Sequence, residues 1–287
     1  MAELPTIAFL GAGQMAEAVL RGLLRAGVAP QRLYASDIRP ERLDYLASEL
    51  GICTCADNRE ALRHAEVAVI AVKPQDAPVL LADMQAAAHP GHLVVSVAAG
   101  VTLATIEAAL PPGVPVVRVM PNTPAFVSEG MAVLARGRHA TAEHEAIVRR
   151  IFETVGRVLV LPEAKMDAVT ALSGSGPGYV AVVIEALADG GVAAGLPRDV
   201  ALQLAAQTVL GTARLVLDRG LHPGVLKDMV ASPAGTTIAG LAVLESAGVR
   251  GAFIQAVLAA TRRGEELGQL APASPEQAAS AREGPHR

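Results

Sequence analysis

Two hydrophobic rhythms divide the chain. In the first, short apolar runs alternate with stretches whose apolar positions recur every three or four residues. The runs Thr6–Leu10, Arg32–Ser36, Val67–Val72, Leu93–Ala98 and Pro115–Met120 predict strands. Most lack a polar face, as do parallel strands covered on both sides. Residues 14–26, 40–50, 75–87 and 102–110 predict the intervening helices. Gly130–Ala135 and Arg157–Leu161 predict two further strands, with a helix over 141–155 between them. This alternation predicts an α/β fold with a Rossmann-like doubly wound sheet.

The second rhythm begins at Leu161-Pro162. Strand signals stop, and residues 163–172, 177–194, 198–219, 223–230, 235–247 and 250–268 predict helices. Tyr179–Ala194 and Val200–Leu217 are apolar nearly all round, and such helices need cover on most sides. One thin helical layer cannot supply it, so a homodimer through these helices is expected. The expected domains are residues 1–161, which bind a dinucleotide; 162–270, an all-α substrate and dimerisation domain; and 271–287, a disordered tail.

Composition narrows the function by exclusion. The 287 residues suit two domains, and 52% of them are apolar, enough for a large interior. Charged residues make up 18% and the net charge is −4, so no nucleic-acid surface is expected. Aromatic residues are 2% with no Trp, which argues against base-stacking platforms. Cys53 and Cys55 have no second pair and no His at ligand spacing. They read as small strand residues on alternating faces, in a reducing compartment. His89-Pro90-Gly91-His92 reads as a surface turn, and no metal is expected. No segment reads as a signal peptide or a membrane span, so a cytoplasmic protein with no membrane partner is expected.

Several turns carry candidate chemistry. The first strand runs into Gly11-Ala12-Gly13-Gln14-Met15-Ala16, a G-x-G-x-x-A turn that opens a helix. Glycines there let backbone approach a pyrophosphate at the helix start. The second strand ends in Ser36-Asp37-Ile38-Arg39. Asp37 favours the ribose hydroxyls of NAD, whereas Arg39 with Ser36 suits the 2′-phosphate of NADP; the balance leans to NADPH, with NADH open. Ala71-Val72-Lys73-Pro74-Gln75 and Val97-Ala98-Ala99-Gly100 follow later strands, where a nicotinamide would lie. Lys73 reads equally as a catalyst or as a surface charge. Asn58 completes the candidate cofactor residues. Met120–Pro124 and Ala171–Tyr179 form further small-residue turns.

The C-terminal half holds Ala231-Ser232-Pro233-Ala234-Gly235-Thr236-Thr237-Ile238. It reads as a turn capped by Ser232, with Pro233 at the first helical position. The free N–H groups of such a helix start could hold a small carboxylate without Lys or Arg. The plain alternative is a capped helix and nothing more.

Taken together the motifs resemble the pyrroline-5-carboxylate reductase family. The resemblance rests on the stretches Leu10–Ala16, Ala71–Gln75, Arg118–Pro124, Leu172–Pro177 and Ser232–Thr237, in the family's order, and spans about residues 5–268. It implies reduction of 1-pyrroline-5-carboxylate to proline by NADPH or NADH, in dimers that often assemble into decamers. It further implies that Thr237 is the catalytic contact to the ring nitrogen, that Ser232, Gly235 and Thr236 surround the carboxylate, and that Glu163 touches substrate. Gly178 stands where the family usually has Ala, Ala234 where it usually has Gly, and Met229 where some members have Asn. The competing readings are a β-hydroxyacid dehydrogenase, whose helical Lys is missing from Tyr179–Ala194, and a non-catalytic dinucleotide-binding protein.

Overall fold

A computed structural model describes residues 4–270; the expected tail from Ala271 lies outside them. The described residues form two compact units, residues 4–174 with 260–270, and residues 175–259.

The first unit is built on eight strands: β1 (Ile7–Leu10), β2 (Leu33–Ser36), β3 (Cys53–Cys55), β4 (Val67–Ile70), β5 (Leu93–Ser96), β6 (Val116–Met120), β7 (Gly130–Arg136) and β8 (Gly156–Val160). Their order is β3-β2-β1-β4-β5-β6-β7-β8. Every neighbouring pair is parallel except β6 and β7, which run antiparallel. The order reverses at β1, between β2 and β4, and ligands of such sheets bind beyond the strand ends at that point.

Residue alternation along the strands creates two cores. Ile7 and Phe9 face a layer formed with α1 (Gln14–Arg25), α2 (Pro40–Leu50) and α6 (Ala142–Glu153). Ala8 and Leu10 face the opposite layer, with α3 (Asn58–Arg63), α4 (Ala77–Gln85) and α5 (Leu103–Ala109). Both layers are sealed by Leu, Val and Ala, so β1 and β4 are buried along their whole length.

Local differences from the expected pattern have identifiable causes. β3 and α3 are short and their segment is polar, so hydrophobic periodicity does not mark them. Cys53 pairs with Tyr34 and Cys55 with Ser36. Two residues apart on one strand, the cysteines share a face rather than alternating. The helix expected over 163–172 is broken into a 3₁₀ turn, Glu163–Lys165, then α7 (Met166–Val169) and a π turn, Thr170–Gly174.

The second unit contains α8 (Gly176–Ala193), α9 (Arg198–Arg219), α10 (Pro223–Val230), α11 (Thr236–Ser246) and the first part of α12 (Val249–Leu270). α8 and α9 pack as a hairpin around Ala188, Ala201 and Ala205, flanked by Ile184 and Val192. Gly195 turns the link in the left-handed conformation, at φ 98°. Small residues let the helices approach closely: a Cβ on Gly191 would sit 3.1 Å from Ala201 Cβ.

That seam is the unit's entire buried apolar cluster, and much apolar surface stays open. Val182, Leu204, Leu217, Val243 and Ile254 are each at least half exposed. Such a surface exceeds the scattered apolar residues of an ordinary monomer. By length and composition two runs, Glu163–Ala193 and Arg198–Arg219, are apolar enough to cross a membrane. This corrects the expectation that none is. Charges such as Glu185 interrupt the first run without lowering its mean hydropathy enough.

Candidate active site

The Gly11–Ala16 turn connects β1 to α1 beyond the strand ends. Gly11 adopts φ 98°, and a Cβ there would lie 2.8 Å from both Ala71 C and Val72 N. Only glycine fits. Its N–H donates to Ser36 O at 2.8 Å, and the Ala71 N–H donates to Leu10 O at 2.8 Å, which ties the turn to β2 and β4. Gly13 is the N-cap of α1, and no side chain caps the helix. The first-turn N–H groups of Gln14 and Met15 therefore stay open to an anion. A Cβ on Gly13 would meet nothing closer than Ala71 O at 3.9 Å, so there is room above the turn. Ala16 is buried, which lets α1 sit close to the sheet. This geometry suits a dinucleotide diphosphate.

The residues after β2 form one connected group. Asp37 Oδ2 accepts the Ala12 N–H at 2.9 Å, and Oδ1 accepts the Arg39 N–H at 3.0 Å. The Arg39 guanidinium spans the same carboxylate through Nε at 2.9 Å and Nη2 at 3.1 Å. Burial pushes the Asp37 carboxyl up, but the Arg39 side chain and the two backbone N–H donors outweigh it and hold it below the usual range. The conflict between Asp37 and Arg39 is thus resolved by pairing: Asp37 is 8% exposed and Arg39 54%, so the arginine is the one that faces outward.

Ser36 is bonded towards α3. It is buried, and its hydroxyl donates to Asn58 Oδ1 at 2.7 Å. Asn58 Nδ2 in turn donates to Asp83 at 3.3 Å. Asn58 opens α3, one residue after the Asp57 cap. Arg42 carries no motif signal, yet its Nε donates to Ala12 O at 2.6 Å and its Nη2 to Glu17 at 2.5 Å. Its partners lie at least 25 residues away, outside any local pattern.

Beyond β4, Ala71 and Val72 are half-buried, while Lys73 and Pro74 are exposed at a 3₁₀ turn, Pro74–Asp76. Lys73 has no ion-pair partner among the described residues. Beyond β5, Ala98 is buried and Ala99 exposed, and Gly100 turns at φ 75°. Glu163 Oε1 accepts the Leu103 N–H at 2.6 Å and Arg118 Nη1 at 3.1 Å. It therefore ties the start of α5 to β6. Asn122 links two motifs, donating from Nδ2 to Ser173 O and Oγ, each at 3.2 Å, and accepting the Met131 N–H at 2.8 Å.

In the second unit the Ser232–Thr237 segment differs from a capped helix start. α11 begins at Thr236, its N-cap is Gly235, and no side chain caps it. Ser232 and Pro233 instead open a tight turn, in which the Gly235 N–H donates to Ser232 O at 3.0 Å. Ala234 holds the third turn position at φ 55°, the left-handed region. The Gly235 N–H is thus spent within the turn, and the open donors are those of Thr236 and Thr237. A Cβ on Gly235 would collide with Ser232 Oγ. The Thr236 and Thr237 hydroxyls have no protein partner among the described residues. No lysine or arginine lies within the segment.

Residues 163–267 match the family model described as pyrroline-5-carboxylate reductase dimerisation, and residues 6–100 match a model of coenzyme F420-dependent NADP oxidoreductases. A pyrroline-5-carboxylate reductase of Methanosarcina acetivorans is 48% identical over 264 residues, 92% of this chain and 98% of that one. The chain belongs to the pyrroline-5-carboxylate reductase family. The fold agrees: a solved pyrroline-5-carboxylate reductase from Coxiella burnetii matches with a TM-score of 0.87 at 35% identity, covering 92% of this chain and 99% of the other. A Plasmodium falciparum pyrroline carboxylate reductase with NADP bound matches with a TM-score of 0.84 at 30% identity, covering 93% and 100%. Pyrroline-5-carboxylate reductases form proline by reducing a cyclic imine, and this chain is an NAD(P)H-dependent oxidoreductase of that family.

Proposed function

We propose that the chain reduces 1-pyrroline-5-carboxylate to L-proline by gripping two anions at two uncapped helix starts. The observation that carries this is that α1 and α11 each begin on a glycine with no capping side chain. NAD(P)H supplies the hydride. Gly13, Gln14 and Met15 hold the diphosphate through backbone N–H groups, with Gly11, Ala12 and Ala16 shaping the turn. Arg39 reaches the 2′-phosphate from its exposed position, while Asp37 anchors it. Ser36 acts through Asn58, which it orients towards the ribose. Ala71, Val72, Lys73, Pro74, Ala98 and Ala99 border the nicotinamide.

The substrate carboxylate is held by the Thr236 and Thr237 N–H groups, beside Ser232 and Gly235. A cyclic imine takes its proton from water, and the resulting iminium N–H donates to Thr237 Oγ1. The imine carbon accepts the hydride pair, the C=N π electrons neutralise the nitrogen, and proline forms. No strong side-chain acid is required, and the protein's task is orientation. Hydrogen bonds to charged groups are worth about 1.5–3 kcal/mol each, so two or three replace an arginine clamp. Glu163 acts as a brace on Leu103 and Arg118 rather than as a substrate contact.

The functional division falls between residues 161 and 162. The open apolar faces of α8, α9 and α11 are assigned to a second copy of the chain, and mass by light scattering reads whether dimers assemble further into decamers. Two free thiols, Cys53 and Cys55, suit the cytoplasm. The deciding experiment is loss of NADPH and NADH absorbance on adding pyrroline-5-carboxylate, with proline identified as product. Absence of proline with either cofactor overturns the proposal.

A further inference from the structure

We infer that Arg42 is a positioning residue for the dinucleotide, acting with Asp37 to hold both polar groups of Ala12. The inference rests on the reading of Gly11–Ala16 as the dinucleotide turn. Ala12 sits between the two glycines of that turn, where the backbone has most freedom. Its N–H is taken by Asp37 at 2.9 Å and its carbonyl by Arg42 Nε at 2.6 Å. Both side chains come from the β2–α2 segment, so the turn is fixed by a neighbouring element rather than by its own sequence.

Arg42 is fixed in turn. Its second arm, Nη2, meets Glu17 on the first turn of α1 at 2.5 Å. Glu17 also accepts Arg21 Nε at 2.8 Å and the Tyr45 hydroxyl at 3.3 Å. The Arg42 guanidinium lies 5.1 Å from the Tyr45 ring centroid, and its side chain is only 14% exposed. Two nitrogens of one rigid plane reach the carbonyl and the carboxylate separately, whereas lysine would have to serve both from a single nitrogen on a flexible stem. α1 and α2 already pack through Leu20, Leu23, Leu43 and Leu46, all buried, so these polar bonds are not what joins the helices.

What they do is keep the first-turn N–H groups aimed before the diphosphate arrives, which lowers the ordering cost of binding. Arg42 spends its charge on Glu17. It therefore supports NADPH and NADH equally, unlike Arg39, which distinguishes them.

The test compares Arg42→Met, Arg42→Lys and Arg39→Ala by steady-state kinetics with both cofactors. The expected result for Arg42→Met is a KM about tenfold higher for NADPH and for NADH alike, with kcat within about twofold, as for a lost charge-assisted hydrogen bond. Arg42→Lys shifts both in the same direction, by less. A change in the NADPH-to-NADH ratio, or an unchanged KM in both variants, overturns the inference. Gly13→Asp is the control: its side chain has room, and its charge opposes a diphosphate. If Gly13→Asp binds NADPH normally, the dinucleotide reading of the turn has failed. If Gly13→Asp loses binding while the Arg42 variants keep normal KM values, only the role of Arg42 has failed.

Discussion

The two uncapped helix starts are built in opposite ways. The start of α1 is braced from outside: β2, β4 and α2 all hold the Gly11–Gly13 turn through hydrogen bonds or steric contact. The start of α11 is made almost wholly by its own four residues, Ser232 to Gly235, closed by one backbone bond. One turn keeps glycine where neighbours leave no room; the other carries alanine at φ 55°, where glycine is easier. The first mouth is thus rigid by tertiary contact and the second by local turn chemistry. On the proposed assignment of ligands, a long flexible dinucleotide benefits from a prearranged grip, whereas a small rigid acid needs only a short row of donors.

The comparison can be broken at several points. The largest effect is expected from Gly11→Ala, whose methyl would press on the Ala71–Val72 backbone. NADPH affinity should fall by more than about 100-fold, since the added Cβ must displace a strand end as well as adopt φ 98°. Titration of NADPH fluorescence measures it; normal affinity would mean that the turn is looser than its contacts indicate. Next comes Thr237→Val, which keeps the backbone donors and removes the hydroxyl. Turnover should drop about 10- to 100-fold with cofactor affinity unchanged, as expected for one hydrogen bond to a charged group. Turnover equal to the parent at saturating imine refutes the contact.

Arg39→Ala should raise the KM for NADPH about tenfold more than that for NADH, because an exposed arginine contributes one charge-assisted contact. Equal effects would remove Arg39 from phosphate recognition. Asp37 sharpens the same brace through pH. Its folded carboxyl titrates below its usual value, so its contribution is present above about pH 4 and is lost as pH falls through the lowered value. Asp37→Asn should therefore flatten the acid limb of a urea-midpoint profile below pH 4; an unchanged limb speaks against the pairing. The smallest effect is Ala234→Gly. Relief of left-handed strain, about 1–2 kcal/mol, is partly offset by glycine's greater unfolded-state freedom, about 0.5–1 kcal/mol. A slight rise in the urea midpoint with unchanged NADPH affinity is expected, and a fall would mean that the turn is not strained.

The same contrast explains what was legible in the chain. α9 and α10 run over the predicted residues because Pro, Gly and the apolar rhythm bound them. The glycine turn was readable because only glycine satisfies its φ. The reversed direction of β7 was not, since side-chain alternation carries no sense of direction. Arg42 was invisible because Ala12 lies 30 residues away. Ser232 has the sequence of a cap but does not serve as one, because Ala234, in a conformation that alanine seldom takes, delays the helix to Thr236. The position of Ser36 after a strand is legible, whereas its bond to Asn58, 22 residues away, follows no local pattern.

The seam of three alanines between α8 and α9 has a consequence of its own. So small an interior gives a lone chain little reason to keep its helical unit shut, and the rest of the reward comes from meeting its like. Resistance to unfolding then becomes a property of how much protein is present, rising with abundance and fading on dilution.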